Sequence, residues 1–404
     1  MGSRIDLAPK KGALSGTFEL PLSKSMVGRA LLLAALFPEI TLSGMSSSSD
    51  SQYLQQVLDG YLGDSAMVGA GGTTLRFATA YWACQEGALQ ELFGTEKLNK
   101  RPIAPLVEAL NALGGDVRYS KTEGQAPLLV KGKKIKGGSY HMGHVESSQF
   151  ITALMLISPK MVEGLHLTWD SVASQPYLVM TAALLREAGF EVLLTSEEFR
   201  IEPGQRPKKV ELFMERDWSA VAFWCEVVAL AEEAEIELVG FKEESLQGDS
   251  RVLDYFEPLG VRSQFKNESL FLSKKPVLAL GKFTANLISE PDLAQALITT
   301  LLLTKTPFEI QGLQTLKRKE TDRIEALVDL AEKLGVAVRA TKDSMSCEGY
   351  PKSLQLAQGV FDSLEDHRVA MSLAPVSLKF PLTITHPEVV EKSYPEFWTH
   401  FSQL

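Results

Sequence analysis

LAEKLGVAVRA, residues Leu330 to Ala340, reads as the last turns of a helix, a glycine, and a short strand. Gly335 follows the last residue of the helical period, where a left-handed cap is needed, and apolar alternation then starts a strand. The same phrase recurs as ALNALGGDVRYS (109–120), LLREAGFEVLL (184–194) and YFEPLGVRSQF (255–265). Their glycines, Gly115, Gly189, Gly260 and Gly335, are 74, 71 and 75 residues apart (189 − 115, 260 − 189, 335 − 260). So regular a period, longer than any solenoid repeat, predicts a recurring supersecondary unit of strands and two helices.

A second series runs in step with the first. Polar clusters that read as starts of the other helix of each unit fall at Ser25, Thr73, Ser148, Trp218, Pro291 and His367, spaced 48, 75, 70, 73 and 76 (successive differences). Only the first interval is short, so the first unit lacks about a hairpin of chain. Between Leu58 and Gly71 there is room for a helix end and one strand. Six units suggest two domains of three. Strand-like runs (VELFME, LFLSKK, PFEIQG, LTITH) alternate with helices, so the class is α/β, or α+β, with mixed sheets. The break between the third and fourth units falls near Glu211 to Asp217. It is not Gly/Ser-rich, which predicts a short hinge.

Composition narrows the partners. The chain has 404 residues, too many for one core, and its 45% hydrophobic and 23% charged content is that of an ordinary globular protein. Its net charge of −9 (41 − 50) argues against nucleic acid or an anionic membrane, so an anionic ligand needs a locally basic site. Cys84, Cys225 and Cys347 form no metal-like pattern and suit a reducing cytoplasm. No signal peptide or membrane span is legible. His141 and His144 share a loop without zinc spacing, and no metal is expected.

The chemistry gathers at the helix starts. In LPLSKSMVGRALLLAAL (20–36), Ser25 is placed to cap a helix whose free N–H groups and positive dipole end lie beside Lys24 and Arg29. That is an anion site, or a capped helix with two solvated cations. GAGGTTLR (69–76) would let a ligand approach backbone N–H groups closely, but taken alone a plain N-cap is the better reading. ESSQF (146–150) offers hydroxyls and an amide at another start. In the second half the starts turn acidic at Asp217, Glu290-Pro291-Asp292 and Asp366-His367-Arg368, which the dipole alone favours. RKETDR (318–323) packs Lys319, Glu320, Asp322 and Arg323 into five positions. Arg101 precedes Pro102, taken as the first helical residue, and Lys392 lies in EKSYPEF. Cations thus recur at matched repeat positions of an acidic protein: Lys24, Arg29, Arg76, Arg101, Lys319, Arg323, Arg368 and Lys392. If like ends of the repeats face a common cleft, it would take more than one anionic group, with Asp292 and Glu320 as candidate general bases.

These motifs, with KRPIAPLVEAL, SQPYL, LQGD, RKETDRI and EDHRVAM, run in order from 20 to 397 and together resemble the 5-enolpyruvylshikimate-3-phosphate synthase family. The resemblance implies an inside-out α/β barrel of the enolpyruvyl transferase fold, each domain three copies of a βαββαβ unit. One domain is discontinuous (1–20 and 216–404) and the other spans 21–215, with a two-stranded hinge near 20 and 215. It implies transfer of the enolpyruvyl group of phosphoenolpyruvate to the 5-hydroxyl of shikimate 3-phosphate, no cofactor, and a cytoplasmic monomer acting on small molecules. By motif, Lys24, Ser25, Arg29, Ser147, Ser148, Gln149, Ser174, Tyr177, Asp292 and Lys319 would hold shikimate 3-phosphate. Lys24, Gly72, Arg101, Gln149, Arg323, Arg368 and Lys392 would hold phosphoenolpyruvate. Asp292 would take the hydroxyl proton, Glu320 would serve the methylene carbon, and Lys24 and His367 would neutralise charge.

The chain departs from the family pattern at Leu22 (usually Gly), Ala70 (Asn), Phe77 (Pro) and Thr315 (often Asn). Phe77 is expected to displace the helix carrying Gly72 and so to weaken glyphosate more than phosphoenolpyruvate. The sister family that acts on UDP-N-acetylglucosamine uses a loop Cys five residues before its R-P arginine, and this chain has Glu96 there. A non-catalytic binder of phosphorylated metabolites is the other alternative, and the joint presence of Lys24, Asp292, Glu320 and His367 argues against it.

Overall fold

The computed structural model describes residues 3–10, 12–60, 64–277 and 281–404. They form two compact units, one of Leu22–Met214 and one of Met1–Pro21 with Glu215–Leu404. The Leu22–Met214 unit carries helices α1 (Lys24–Leu36), α2 (Ser49–Leu58), α3 (Gly72–Ala83), α4 (Glu96–Asn99), α5 (Ala104–Ala112), α6 (Ser148–Ile157) and α7 (Pro176–Glu187). The other carries α8 (Trp218–Leu230), α9 (Val252–Phe256), α10 (Ala294–Leu303), α11 (Arg323–Lys333), α12 (His367–Leu373) and α13 (Phe397–Ser402).

One sheet topology occurs four times. In the Leu22–Met214 unit the strand order is Ser65–Met67, Leu89–Phe93, Leu128–Lys131, Val117–Tyr119, and again Gly138–His141, Leu165–Thr168, Glu198–Ile201, Val192–Leu194. In the other it is Ala13–Phe18, Glu233–Val239, Ser269–Lys274, Val261–Lys266, and then Phe283–Asn286, Phe308–Gln311, Ser344–Cys347, Arg339–Ala340. Each begins with a parallel pair and continues antiparallel. Smaller sheets complete the units, among them the short parallel pair His144–Val145 and Ser171–Val172. Arg4–Leu7, Leu382–Thr385 and Val360–Asp362 form another, and the parallel pair Ile40–Leu42 and Val210–Leu212 forms a third. The third keeps the parallel pair and lacks the hairpin, as the short first interval predicts. The stretch between Leu58 and Gly71 holds the strand Ser65–Met67, with 61–63 outside the described residues.

Two strands join the unit opposite to that of the helix that follows them in the chain. Ala13–Phe18 precedes α1 but pairs with Glu233–Val239, and Val210–Leu212 precedes α8 but pairs with Ile40–Leu42. The helices α8 and α10 are buried on nearly every side, as their predominantly apolar sequences require, whereas α11 is amphipathic and buries one stripe.

Three local readings are corrected. The α1 cap is Ser23, whose Oγ accepts from Met26 N, and Ser25 lies within the first turn. Cap position follows φ/ψ, and Ser23 is the last residue with non-helical angles. Pro102 lies outside a helix, since α5 starts at Ala104 with Pro105 in its first turn. The left-handed glycine after α5 is Gly114 (φ 102°), not Gly115, so the series becomes 75, 71 and 75 (189 − 114, 260 − 189, 335 − 260).

Glu226 stands apart within α8. It is 0% exposed and neither carboxylate oxygen has a hydrogen-bond partner among the described residues. Burial pushes its carboxyl well above the usual range. The folded state therefore holds this proton more tightly than the unfolded chain, and stability falls as pH rises above the unfolded carboxyl's value of about 4.3. Glu226→Gln removes the titration. Its stability relative to the parent, read as urea midpoints, is expected to increase from pH 5 to pH 8. A constant difference across that span contradicts the assignment.

Candidate active site

In the Leu22–Met214 unit, helix starts gather cations against few acids. Lys24 Nζ lies 3.0 Å from Asp50 Oδ2 in the first turn of α2, and both side chains are largely buried. Asp50 also borders the start of α3: a Cβ added at Gly71 would stand 2.8 Å from Asp50 Oδ1, and Thr74 Oγ1 donates to the Asp50 carbonyl. The sequence reading missed Asp50. Its only local signal is the Ser-Ser-Asp helix start, which a cap explains fully.

Gly72 opens α3, and its missing side chain makes room for two guanidinium groups. A Cβ there would meet Arg76 Nη1 at 2.5 Å and Arg101 Cζ at 3.0 Å. Arg76 donates to Gln149 Oε1 and to the Pro102 carbonyl, both at 2.8 Å, and lies over the Phe150 ring. Gly72, Arg76, Arg101 and Gln149 thus form one cluster. Ser147 caps α6 by accepting from Gln149 N, and Ser148 is buried beside it. Arg29 donates to the Ser25 carbonyl (2.6 Å) and Thr181 Oγ1 (2.8 Å) and lies over the Tyr177 ring. Burial pushes its guanidinium down to about 10. Ser174 adopts the left-handed backbone (φ 61°), and its carbonyl accepts from Tyr177 N.

In the other unit the acidic helix starts are knotted to cations. Asp292 Oδ1 takes Arg323 Nη1 at 3.0 Å and Lys319 Nζ at 3.2 Å, and Oδ2 takes Arg368 Nη2 at 3.1 Å. Burial opposes its charge, but Arg368, Lys319 and Arg323 outweigh burial and hold the carboxyl well below the usual range. Burial in turn pulls the Lys319 ammonium down, with Asp292 offsetting only part of that. Glu320 links Arg323 Nη2 (3.0 Å) to Lys392 Nζ (2.6 Å). Asp366, fully buried, grips Arg323 through both carboxylate oxygens and caps α12 by accepting from Arg368 N. His367 is buried with Nδ1 3.7 Å from Asp366 Oδ1. Asp249, of the LQGD motif, faces Ser219 Oγ, and burial followed by repulsion from Asp292 pushes its carboxyl up to about 7. Thr315 Oγ1 is buried without a partner among the described residues.

Such sites can do two things. Four cations per unit can grip phosphate or carboxylate. Two carboxylates, each tied to cations an incoming anion could claim, can move protons.

The fold places the chain in a known structural class. It superposes on an EPSP synthase from Acinetobacter baumannii with a TM-score of 0.77 at 19% identity, covering 99% of this chain and 98% of that one. It also superposes on the enolpyruvyl transferase NikO from Streptomyces tendae, with a TM-score of 0.75 at 13% identity over 100% and 98%. The fold is that of enolpyruvyl transferases. Sequence narrows this: the family model for EPSP synthase (3-phosphoshikimate 1-carboxyvinyltransferase) matches residues 50–401. A 3-phosphoshikimate 1-carboxyvinyltransferase of Bacteroides fragilis is 36% identical over 95% of this chain and 94% of its own length, and one of Pseudoalteromonas translucida is 31% identical over 95% and 96%. The chain belongs to the EPSP synthase family. Among the described residues, no helix is long and apolar enough to cross a membrane.

Proposed function

We propose that this chain transfers the enolpyruvyl group of phosphoenolpyruvate to the 5-hydroxyl of shikimate 3-phosphate and releases phosphate, as a cytoplasmic monomer without a cofactor. The observation that carries this reading beyond family membership is the pairing of Asp292 and Glu320 with Lys319, Arg323, Arg368 and Lys392. Those cations are the ones that two anionic substrates would claim.

Shikimate 3-phosphate is held by Lys24, Ser25, Arg29, Ser147, Ser148, Gln149, Ser174, Tyr177 and Lys319. Phosphoenolpyruvate is held by Lys24, Gly72, Arg101, Gln149, Arg323, Arg368 and Lys392. In the addition step the 5-oxygen bonds to C2 of phosphoenolpyruvate, its proton passes to Asp292, and a proton delivered through Glu320 reaches the methylene carbon. In the elimination step the C2–O bond to phosphate breaks, and the methyl carbon returns its proton to Glu320. Lys24 and His367 stabilise the charge that gathers as phosphate departs, a preorganised electrostatic contribution. With its carboxylate tied to three cations, Asp292 is a weak base. Phosphoenolpyruvate drawing on Arg323 and Arg368 raises its basicity at the moment the hydroxyl is bound, so base strength is coupled to substrate occupancy.

The test is phosphate release from the purified chain with each substrate alone and with both. Release that requires both supports the reading. Calorimetric binding of shikimate 3-phosphate without release would favour the non-catalytic binder, and neither binding nor release would overturn the substrate assignment. Gly72→Ala places a methyl group against the Arg76 and Arg101 guanidiniums. It is expected to raise the KM for phosphoenolpyruvate about tenfold, the weight of one charged contact, with little change in the KM for shikimate 3-phosphate. Equal effects on both would remove Gly72 from the phosphoenolpyruvate site.

A further inference from the structure

Arg29 and Arg323 are both 2% exposed, but they are solvated by the protein in opposite ways. Arg323 is saturated by Asp292, Glu320 and Asp366. Arg29 makes its polar contacts to neutral oxygens, the Ser25 carbonyl and Thr181 Oγ1, and no carboxylate pairs with it among the described residues. A buried cation without a counter-ion is strongly unfavourable unless something else faces it. Here two aromatic rings do. The guanidinium carbon lies 5.4 Å from the Tyr177 ring centre and 5.7 Å from that of Phe77, within the roughly 6 Å over which a ring's negative face attracts a cation.

The Phe77 ring is 0% exposed and belongs to α3. It lies beside Arg29 where α1 and α3 are in ordinary packing contact: a Cβ added at Gly28, one residue earlier, would lie 3.9 Å from Phe77 Cε2 and 4.0 Å from Thr73 Cγ2. A carboxylate in place of the ring would satisfy Arg29 and compete with any anionic ligand. An aromatic face favours the cation and leaves its charge free to act outward. A proline, the residue the family resemblance leads one to expect at 77, has no such face.

We propose that Phe77 is a positioning residue for substrate recognition, its ring holding the Arg29 guanidinium in place, without neutralising it, for the anionic groups of shikimate 3-phosphate. This rests on the assignment of Arg29 to that substrate. Phe77 acts through Arg29 and does not itself touch the reacting atoms.

The experiment is calorimetric binding of shikimate 3-phosphate to the full chain, with steady-state kinetics alongside. Phe77→Leu, which keeps apolar bulk and loses the ring, is expected to weaken binding about tenfold, the scale of a desolvated cation–π contact. The KM for shikimate 3-phosphate rises in step while kcat holds. Phe77→Tyr, which keeps the face, restores binding. In an Arg29→Met background, Phe77→Leu makes no further difference, because the partner is already gone. Should the Leu variant fold poorly, Phe77→Met gives the same comparison with a side chain that adapts to the core. Parent-like affinity in the Leu or Met variant, or an equal loss in the Arg29→Met background, overturns the proposal and leaves Phe77 as packing. A parent chain that neither binds nor converts shikimate 3-phosphate overturns the functional reading itself, a distinct result.

Discussion

Asp292→Asn and Glu320→Gln are each expected to lower kcat for phosphate release by about 10²–10⁴-fold, the usual weight of a positioned proton-transfer group. Both changes keep the shape of the side chain and remove its ability to accept a proton at neutral pH. The two losses have different signatures. Asp292 carries charge facing Lys319, Arg323 and Arg368, so the neutral amide also frees those cations and can tighten phosphoenolpyruvate binding. Its KM for phosphoenolpyruvate should therefore hold or fall while kcat collapses. Glu320 links Arg323 and Lys392, and its variant should show the kcat loss with the smaller change in KM. Steady-state kinetics in both substrates separates these outcomes. Activity within tenfold of the parent in either variant would remove that residue from the proton-transfer pair.

Arg323→Met is the change with the largest expected effect on stability, about 3–5 kcal/mol, the scale for removing one partner from a buried ion-pair network. The guanidinium serves Asp292, Glu320 and both oxygens of Asp366, and Asp366 is fully buried. Methionine fills much of the volume, so the loss is electrostatic, not a cavity. Asp292 is held well below the usual carboxylate range. Such a group contributes stability above its unfolded value and loses it as pH falls through its depressed folded value. The deficit of Arg323→Met should accordingly be largest near neutral pH and shrink in acid. Urea titrations at neutral pH and in acid below the unfolded aspartate's value of about 3.9 read this directly. A deficit that does not change with pH would assign the destabilisation to packing.

Much of the fold was legible because it repeats. Helix-ending glycines and polar helix starts are local signals, governed by φ/ψ preference and capping, so their period survives in the sequence. The missing hairpin of the first repeat showed itself as one short interval. The candidate acid–base groups were legible for a similar reason, since Asp292 and Glu320 sit at helix starts crowded with charge. Asp50 was not legible, because an acid in a helix's first turn looks the same whether or not a lysine from another helix lies 3.0 Å away. Nor was the Phe77 contact with Arg29, which depends on how α1 packs against α3.

The sequence by itself determined the repeat, the alternation of strands with two kinds of helix, and the recurrence of cations at helix starts, all of which follow from neighbours within a turn or two of chain. Only the tertiary structure decided that Ala13–Phe18 pairs with Glu233–Val239 while Val210–Leu212 pairs with Ile40–Leu42, the strand partners that accompany the discontinuous unit implied by the family resemblance. It also decided which cations are saturated by carboxylates, as Arg323 is, and which are faced by aromatic rings, as Arg29 is. The physical reason is common to both. Strand pairing and charge compensation join residues tens to hundreds of positions apart, and no local preference encodes which partner burial will supply.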